Sequence, residues 1–124
     1  MDLLFKQEGY DLIGAAIEVY NTMGHGFLEE VYQESLEIEL TIQGIKFVSQ
    51  PDLPLEYKEK PLKKRYRPDL LVFDGIVTEL KAIRSLGNDE MAQLFNYLKA
   101  SKMKVGYLLN FGNPAELEWK RIVR

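Results

Sequence analysis

The chain has no cysteine and a single histidine, His25, among its 124 residues. These absences exclude disulfides, thiolate metal sites and zinc sites built from several histidines. Any bound metal must therefore use oxygen ligands, for which Mg²⁺ or Mn²⁺ is the default. A chain without cysteine also fits a cytoplasmic protein, and we expect that location.

Long hydrophobic runs are missing as well. No apolar run is long enough to span a bilayer, and the first residues lack a basic stretch followed by an apolar core. We therefore expect no transmembrane segment, no signal peptide and no membrane partner. The composition is 46% hydrophobic, which predicts one domain over residues 1–124 with a substantial core.

An excess of positive charge is the third absence. The formal net charge is −3, which argues against indiscriminate nucleic-acid binding. The charge is unevenly distributed, however. Residues 28–40 contain five glutamates and no basic residue, whereas residues 58–67 contain six basic residues against Glu59 alone. Solvated surface explains both runs, but the basic one also suits phosphate contacts. Its members are Lys58, Lys60, Lys63, Lys64, Arg65 and Arg67.

The hydrophobic periodicity predicts the element order ααβββ(β)αβ(β), an α/β fold with a mixed β-sheet flanked by helices. Gly44 is the expected stop of the second helix and Asn88 the expected N-cap of the third, whose apolar stripe includes Phe95. The predicted helices are 8–22, about 28–42 and one starting near 88, and the predicted strands are 46–50, 53–57, 66–73, 76–83, 104–111 and 117–123, with 58–64 as a polar turn.

Three charged residues on two neighbouring strands suggest a catalytic site. Asp69 follows Arg67 and Pro68, and Glu79 and Lys81 lie on the next strand. Two carboxylates can hold a divalent cation that activates water, and a lysine beside them can stabilise the charge that develops on a phosphate. At close approach the carboxylates would repel by about 4 kcal/mol, and a cation removes that cost.

The register of the two strands decides whether these residues meet. A two-residue loop at 74–75 would put Asp69 and Glu79 on opposite faces of the sheet, because side chains alternate along a strand. A three-residue loop at 73–75, with Gly75 in the left-handed conformation, would place Asp69 across from Glu79. Both loops are chemically acceptable, so the sequence permits the site without requiring it.

Two helical pairs accompany these charges. Glu29 and Tyr32 lie three residues apart on the second predicted helix, and Gln93 and Tyr97 lie four apart on the third, so each pair shares a helix face. Ordinary structural roles are open to all four: core packing for the tyrosines, surface exposure for the glutamine, and a favoured acid at a helix start for Glu29.

Taken in order from about residue 12 to 123, five blocks of the sequence resemble the GxxExxY family, a branch of the PD-(D/E)XK nuclease superfamily. Two departures are visible: Tyr20 stands where many members have histidine, and His25 stands where proline is frequent. The blocks are Gly26-X-X-Glu29-X-X-Tyr32, Tyr66-Arg67-Pro68-Asp69, Glu79-Leu80-Lys81-Ala82, Gln93-Leu94-X-X-Tyr97-Leu98 and Gly106-X-Leu108-X-Asn110-Phe111-Gly112.

The resemblance implies a restriction-endonuclease-like core with a metal site. By matching position, Asp69 and Glu79 would be metal ligands, joined by Glu29, and Lys81 would be the catalytic lysine. Gln93 and Tyr97 would touch the metal-bound water or the nucleic-acid backbone.

The function implied by the resemblance is that of a nuclease, dependent on Mg²⁺ or Mn²⁺ and acting on nucleic acid, with DNA as the expected substrate. The basic run 58–67 would contact phosphates, and analogy with the superfamily suggests a homodimer. The alternative is a non-catalytic protein of the same fold that binds a protein or nucleic acid. Such a protein would bind its partner through the sheet edge or the first helix. The apolar and aromatic stripe at 12–20, with Trp119, would supply the contact surface.

Overall fold

The computed structural model describes residues 4–124, and over that range the chain forms three helices and seven strands. The helices are α1 (Lys6–Met23), α2 (Glu29–Ile42) and α3 (Asn88–Ser101). The strands are β1 (Phe47–Ser49), β2 (Glu56–Tyr57), β3 (Lys60–Pro61), β4 (Leu70–Val72), β5 (Ile76–Lys81), β6 (Val105–Asn110) and β7 (Glu118–Val123).

Five of the strands form one mixed sheet in the order β1-β4-β5-β6-β7. The β5–β6 pair is parallel, with α3 as its crossover, and the other neighbours are antiparallel. Helices α1 and α2 pack with one face of the sheet, through residues such as Leu12, Leu36 and Leu80. Helix α3 packs with the other face, through Leu94 and Leu98. The predicted mixed sheet flanked by helices is confirmed.

Strands β4 and β5 adopt the register that brings the carboxylates together. Val72 pairs with Ile76 and Leu70 with Thr78, so Asp69, just before β4, lies across from Glu79. The three-residue loop is therefore the correct alternative. The predicted left-handed Gly75 is wrong, because the positive φ angles fall at Phe73 (53°) and Asp74 (62°).

Gly75 instead leaves room for a packing contact. A Cβ at this position would overlap the ring of Phe5, which lies against it at the start of the chain's described part. The N–H of Gly75 closes the turn by donating to the carbonyl oxygen of Val72 at 3.2 Å. The loop therefore depends on the contact with Phe5 as well as on its own backbone.

The helix ends agree with the sequence in part. Gly44, with φ of +71°, follows the last turn of α2, as expected for a C-terminal stop. Asn88 is the first residue of α3 and not its cap. Gly87 holds the cap position, and its N–H donates to Oε1 of Glu90 at 2.6 Å. Phe95 is 39% exposed and does not belong to the buried stripe of α3.

The strands before β5 are shorter than predicted, and prolines account for the difference. Pro51 and Pro54 fall in the second predicted strand and its approach, where only β2 forms, and Pro68 leaves β4 to begin at Leu70. Proline has no N–H to give to a strand ladder. The segment predicted as a polar turn contains β3, which pairs with β2 in a small separate hairpin.

The apolar stripe of α1 belongs to the core. Leu12, Ala15, Ala16 and Val19 are buried beneath α2 and the sheet. Trp119 lies on β7, an edge strand, and is 44% exposed. None of the helices between residues 4 and 124 has the length and apolarity needed to cross a membrane.

Candidate active site

Asp69 and Glu79 form a directly connected carboxylate pair where β4 and β5 begin to separate. The backbone N–H of Asp69 donates to Oε1 of Glu79 at 3.2 Å, and the N–H of Leu80 donates to Oδ2 of Asp69 at 2.7 Å. In the β4–β5 register, Leu80 lies opposite Pro68. The carboxylate of Asp69 therefore accepts a hydrogen bond from β5, the central strand, at the point where the regular pairing of β5 with β4 ends. The hydroxyl of Tyr66 completes the cluster by donating to Oε2 of Glu79 at 2.8 Å.

Burial dominates the electrostatics of this pair. It raises the pKa of the Glu79 carboxyl from 4.5 to about 7, against the opposing effects of the Tyr66 hydrogen bond and the charge of Lys81. Burial also raises the pKa of Asp69, and here too Lys81 acts in the opposite direction. Burial, followed by the charge of Glu79, raises the pKa of Tyr66, which keeps its hydroxyl protonated and donating. Burial thus makes negative charge on the pair costly, and the surrounding protein groups offset that cost only in part.

The backbone of Asp69 is fixed by α2 and by the residue that follows β1. Its carbonyl oxygen accepts hydrogen bonds from Nε2 of Gln33 at 2.9 Å and from the N–H of Gln50 at 2.9 Å. Nε2 of Gln33 also donates to Oε2 of Glu37 at 2.7 Å. The sequence reasoning missed Gln33, although it lies four residues after Glu29 and hence on the same helix face.

A cleft of about 300 Å³ opens beside the pair, between α2 and the start of β4. Asp69 and Glu29 both line it. Within residues 4–124, no three acidic, histidine or cysteine side chains are grouped closely enough to hold a metal ion. Asp69 and Glu79 therefore form a group of two, and Glu29 lies on the wall of the cleft that Asp69 also lines.

Tyr32 sets the start of α2, and with it the position of Glu29. The buried hydroxyl of Tyr32 donates to the carbonyl oxygen of Gly24 at 2.5 Å and accepts from the N–H of Phe27 at 3.2 Å. Gly24 and Gly26 have φ angles of +75° and +109°, which glycine adopts without strain. The tyrosine and the two glycines are thus structural parts that hold the loop before α2.

Gln93 and Tyr97 are not brought to the same cleft. Both line a second cleft, of about 530 Å³, formed by α3 and Leu55. Tyr97 is nevertheless joined to the carboxylates through one side chain, because its ring stacks on Tyr66 with centroids 4.1 Å apart and planes 10° from parallel. Gln93 is exposed at the surface of α3.

The basic run forms the β2–β3 hairpin and the segment that follows it. Lys58 and Glu59 make the two-residue turn with φ angles of +48° and +65°. All six basic side chains are exposed, and among them Arg65 pairs with Asp52, Nε to Oδ1, at 3.2 Å. An ion pair of 3.2 Å between Lys102 and Glu56 connects the hairpin to the end of α3. The residues predicted to contact nucleic acid therefore lie on an exposed surface that is rich in positive charge.

The fold and the carboxylate pair with its neighbouring lysine define a protein of the restriction-endonuclease-like class. A family model described as the PD-(D/E)XK nuclease superfamily matches residues 6–122, and the chain belongs to this superfamily. The solved structure "Crystal structure of SSO0001" is similar in fold, with a TM-score of 0.61 and 19% identity. That match covers 97% of this chain and 59% of the other, so the chain spans about three-fifths of that protein's length. Comparison with curated proteins finds no match.

Proposed function

We propose that this protein is a Mg²⁺-dependent nuclease that hydrolyses phosphodiester bonds in DNA, and that it belongs to the GxxExxY branch of the superfamily. The observation that carries the proposal is the pair of partly buried carboxylates, Asp69 and Glu79, joined by a backbone hydrogen bond of 3.2 Å, with the charge of Lys81 acting on both. Mn²⁺ is the alternative cofactor, since it prefers the same ligands.

The residues fit a hard divalent cation. Mg²⁺ is usually held by one or two carboxylates, with water and substrate phosphate completing the shell, so the pair of Asp69 and Glu79 suffices. Burial raises the pKa of both carboxyls, and negative charge kept in such a place favours a cation. When bound, the cation would activate water and neutralise charge on the phosphate.

The roles of the other residues follow from where they lie. Lys81, two residues beyond Glu79 on β5, would hold its ammonium group toward the phosphate and stabilise the developing negative charge. Glu29, on the wall of the cleft lined by Asp69, would add an acidic group on the side of α2. Gln93, exposed on α3, would contact the nucleic-acid backbone outside this cleft.

The β2–β3 hairpin supplies the positive surface that a nucleic acid requires. Contacts of exposed lysines with phosphate carry no sequence information, so this surface would position the backbone without selecting bases. One such surface on an acidic chain gives weak binding. Two copies acting together would present two hairpins to one duplex, so we include a homodimer in the proposal.

The test is a cleavage assay on plasmid, linear duplex and single-stranded DNA and on RNA, with Mg²⁺ or Mn²⁺ and then with a chelator. Asp69→Asn and Lys81→Ala are run in parallel, with Lys6→Ala as a control because Lys6 is an exposed lysine of α1. Asparagine keeps an oxygen that can accept from the N–H of Leu80, so the fold should survive.

Metal-dependent cleavage that is lost in Asp69→Asn and Lys81→Ala, and retained in Lys6→Ala, is the expected result. Thermal unfolding with and without the metal accompanies the assay, because a ligand that binds only the native state raises its stability. The proposal is wrong if no substrate is cut and neither metal raises the unfolding temperature.

A further inference from the structure

We propose that Tyr66 is the positioning residue of Glu79, and that Tyr97 acts through the ring of Tyr66 instead of touching water or phosphate itself. The inference deepens the proposed nuclease function and rests on it. It concerns a hydroxyl and a ring that lie outside the carboxylate–lysine set.

The backbone of Tyr66 is anchored independently of the contact that its side chain makes with the site. It is 5% exposed, and its backbone N–H and carbonyl both bond to Leu53, at 2.9 and 2.8 Å. This isolated bridge fixes Tyr66 within the segment that connects the β2–β3 hairpin to β4. Its side chain therefore approaches β5 from an anchored backbone, which limits the positions that the hydroxyl can take.

The hydroxyl of Tyr66 and the N–H of Asp69 hold the two oxygens of Glu79 separately. Tyr66 donates to Oε2 at 2.8 Å, and Asp69 donates to Oε1 at 3.2 Å. Each carboxylate oxygen has two lone pairs, so one accepted hydrogen bond leaves the other lone pair for a cation. Two donors on opposite oxygens fix the rotation of the carboxylate. Removing the hydroxyl should therefore free the carboxylate of Glu79 to rotate.

Tyr97 supports Tyr66 from the other side. The two rings are nearly parallel with centroids 4.1 Å apart, and Tyr97 is anchored on α3. An offset aromatic pair contributes about 0.5–1.5 kcal/mol beyond its buried area, enough to favour one orientation of the Tyr66 ring. The contribution of Tyr97 is thus its ring, and the contribution of Tyr66 is its hydroxyl.

Three variants separate these contributions. Tyr66→Phe removes the donor and keeps the stack, Tyr97→Phe keeps the stack and serves as the matched control, and Tyr97→Ala removes the supporting ring. The measurement is the Kd for Mn²⁺ by titration calorimetry on each folded protein, with unfolding in chelator measured separately. Loss of a group that orients a metal ligand typically weakens metal binding about 10- to 100-fold.

The expected result is a Kd for Mn²⁺ that rises at least about tenfold in Tyr66→Phe, rises in Tyr97→Ala, and stays at the wild-type value in Tyr97→Phe. A merely structural tyrosine would lower the unfolding free energy and leave the Kd of the folded protein unchanged. An unchanged Kd in Tyr66→Phe therefore overturns the inference, and so does an equal rise in Tyr97→Phe.

A second measurement needs no metal and separates this inference from the proposed function. Side-chain NMR couplings of Glu79 in chelator should report one rotamer in the wild type and rotamer averaging in Tyr66→Phe. A wild type that binds no Mn²⁺ contradicts the proposed function, whereas the couplings still decide the role of Tyr66. The same single rotamer in both proteins overturns the inference whatever the metal result.

Discussion

Replacing Glu79 by glutamine should make the metal-free protein more stable at neutral pH, although the residue is central to the candidate site. Burial is the main cause that raises the pKa of this carboxyl from 4.5 to about 7. Glutamine carries no charge and can still accept from the N–H of Asp69, while its amide can donate to the oxygen of Tyr66. The substitution thus removes the buried charge and keeps two hydrogen bonds.

The sign follows from proton binding. Below about pH 4.5 the carboxyl is protonated in both the native and the unfolded chain. Between about 4.5 and 7 the unfolded chain has lost its proton while the native protein still holds it, so the stability of the wild type falls as pH rises. One pKa unit is worth about 1.4 kcal/mol, so the full change from 4.5 to about 7 amounts to about 3 kcal/mol. For a chain of this size, that energy corresponds to about 10 °C in Tm.

The assay is urea unfolding of the wild type and Glu79→Gln in chelator at pH 4.5, 6 and 7.5. The difference in the free energy of unfolding, variant minus wild type, should increase by up to about 3 kcal/mol from pH 4.5 to 7.5. The pKa of Asp69 is raised as well. The pH at the midpoint of the stability change therefore reflects the titration of both carboxyls together. Glu116→Gln, at an exposed position, is the control and should run parallel to the wild type. If the free energy of unfolding of Glu79→Gln changes with pH in the same way as that of the wild type, the reasoning is refuted.

Three further outcomes are expected. Gly75→Ala should cost about 1–3 kcal/mol in urea unfolding, since its Cβ would overlap the ring of Phe5. Gly14→Ala, inside α1 with open space around it, should instead stabilise by about 0.5–1 kcal/mol, and equal effects of the two would contradict this account. Lys60→Ala should weaken DNA binding and reduce the slope of log K against log salt by about 1, whereas Lys6→Ala should leave the slope unchanged.

Much of the fold could be predicted from the sequence, because the spacing of apolar residues and the backbone preferences of glycine and proline determine structure over short stretches of chain. Helices α1 and α2 agree with their predicted bounds within two residues, and the stop of α2 at Gly44 is confirmed. The errors arise where a distant contact decides. The sequence suggested that Gly75 serves its φ angle, and only the position of Phe5 shows what a side chain there would meet.

The site was predictable in a more limited way. The pattern of charges indicated Asp69 and Glu79, but their register depended on a loop for which the chain offered two acceptable lengths. The contact of Tyr66 with Glu79 could not be inferred, because Tyr66 lies outside β4 and reaches the site from its bridge to Leu53. The separation of Gln93 from the cleft lined by Asp69 likewise depends on how α3 packs against the sheet, which the spacing of residues along the helix does not reveal.

The carboxylate pair costs the fold stability, and that cost favours a functional explanation. Asp69 and Glu79 receive three donors from the N–H groups of Asp69 and Leu80 and the hydroxyl of Tyr66, yet burial still raises the pKa of both. Uncharged side chains of similar shape would avoid the desolvation cost of two buried acids. A protein that used this surface only for packing would gain no stability from the pair. A cation bound between the carboxylates would recover the cost, so the stability advantage of Glu79→Gln over the wild type should disappear when Mg²⁺ is added.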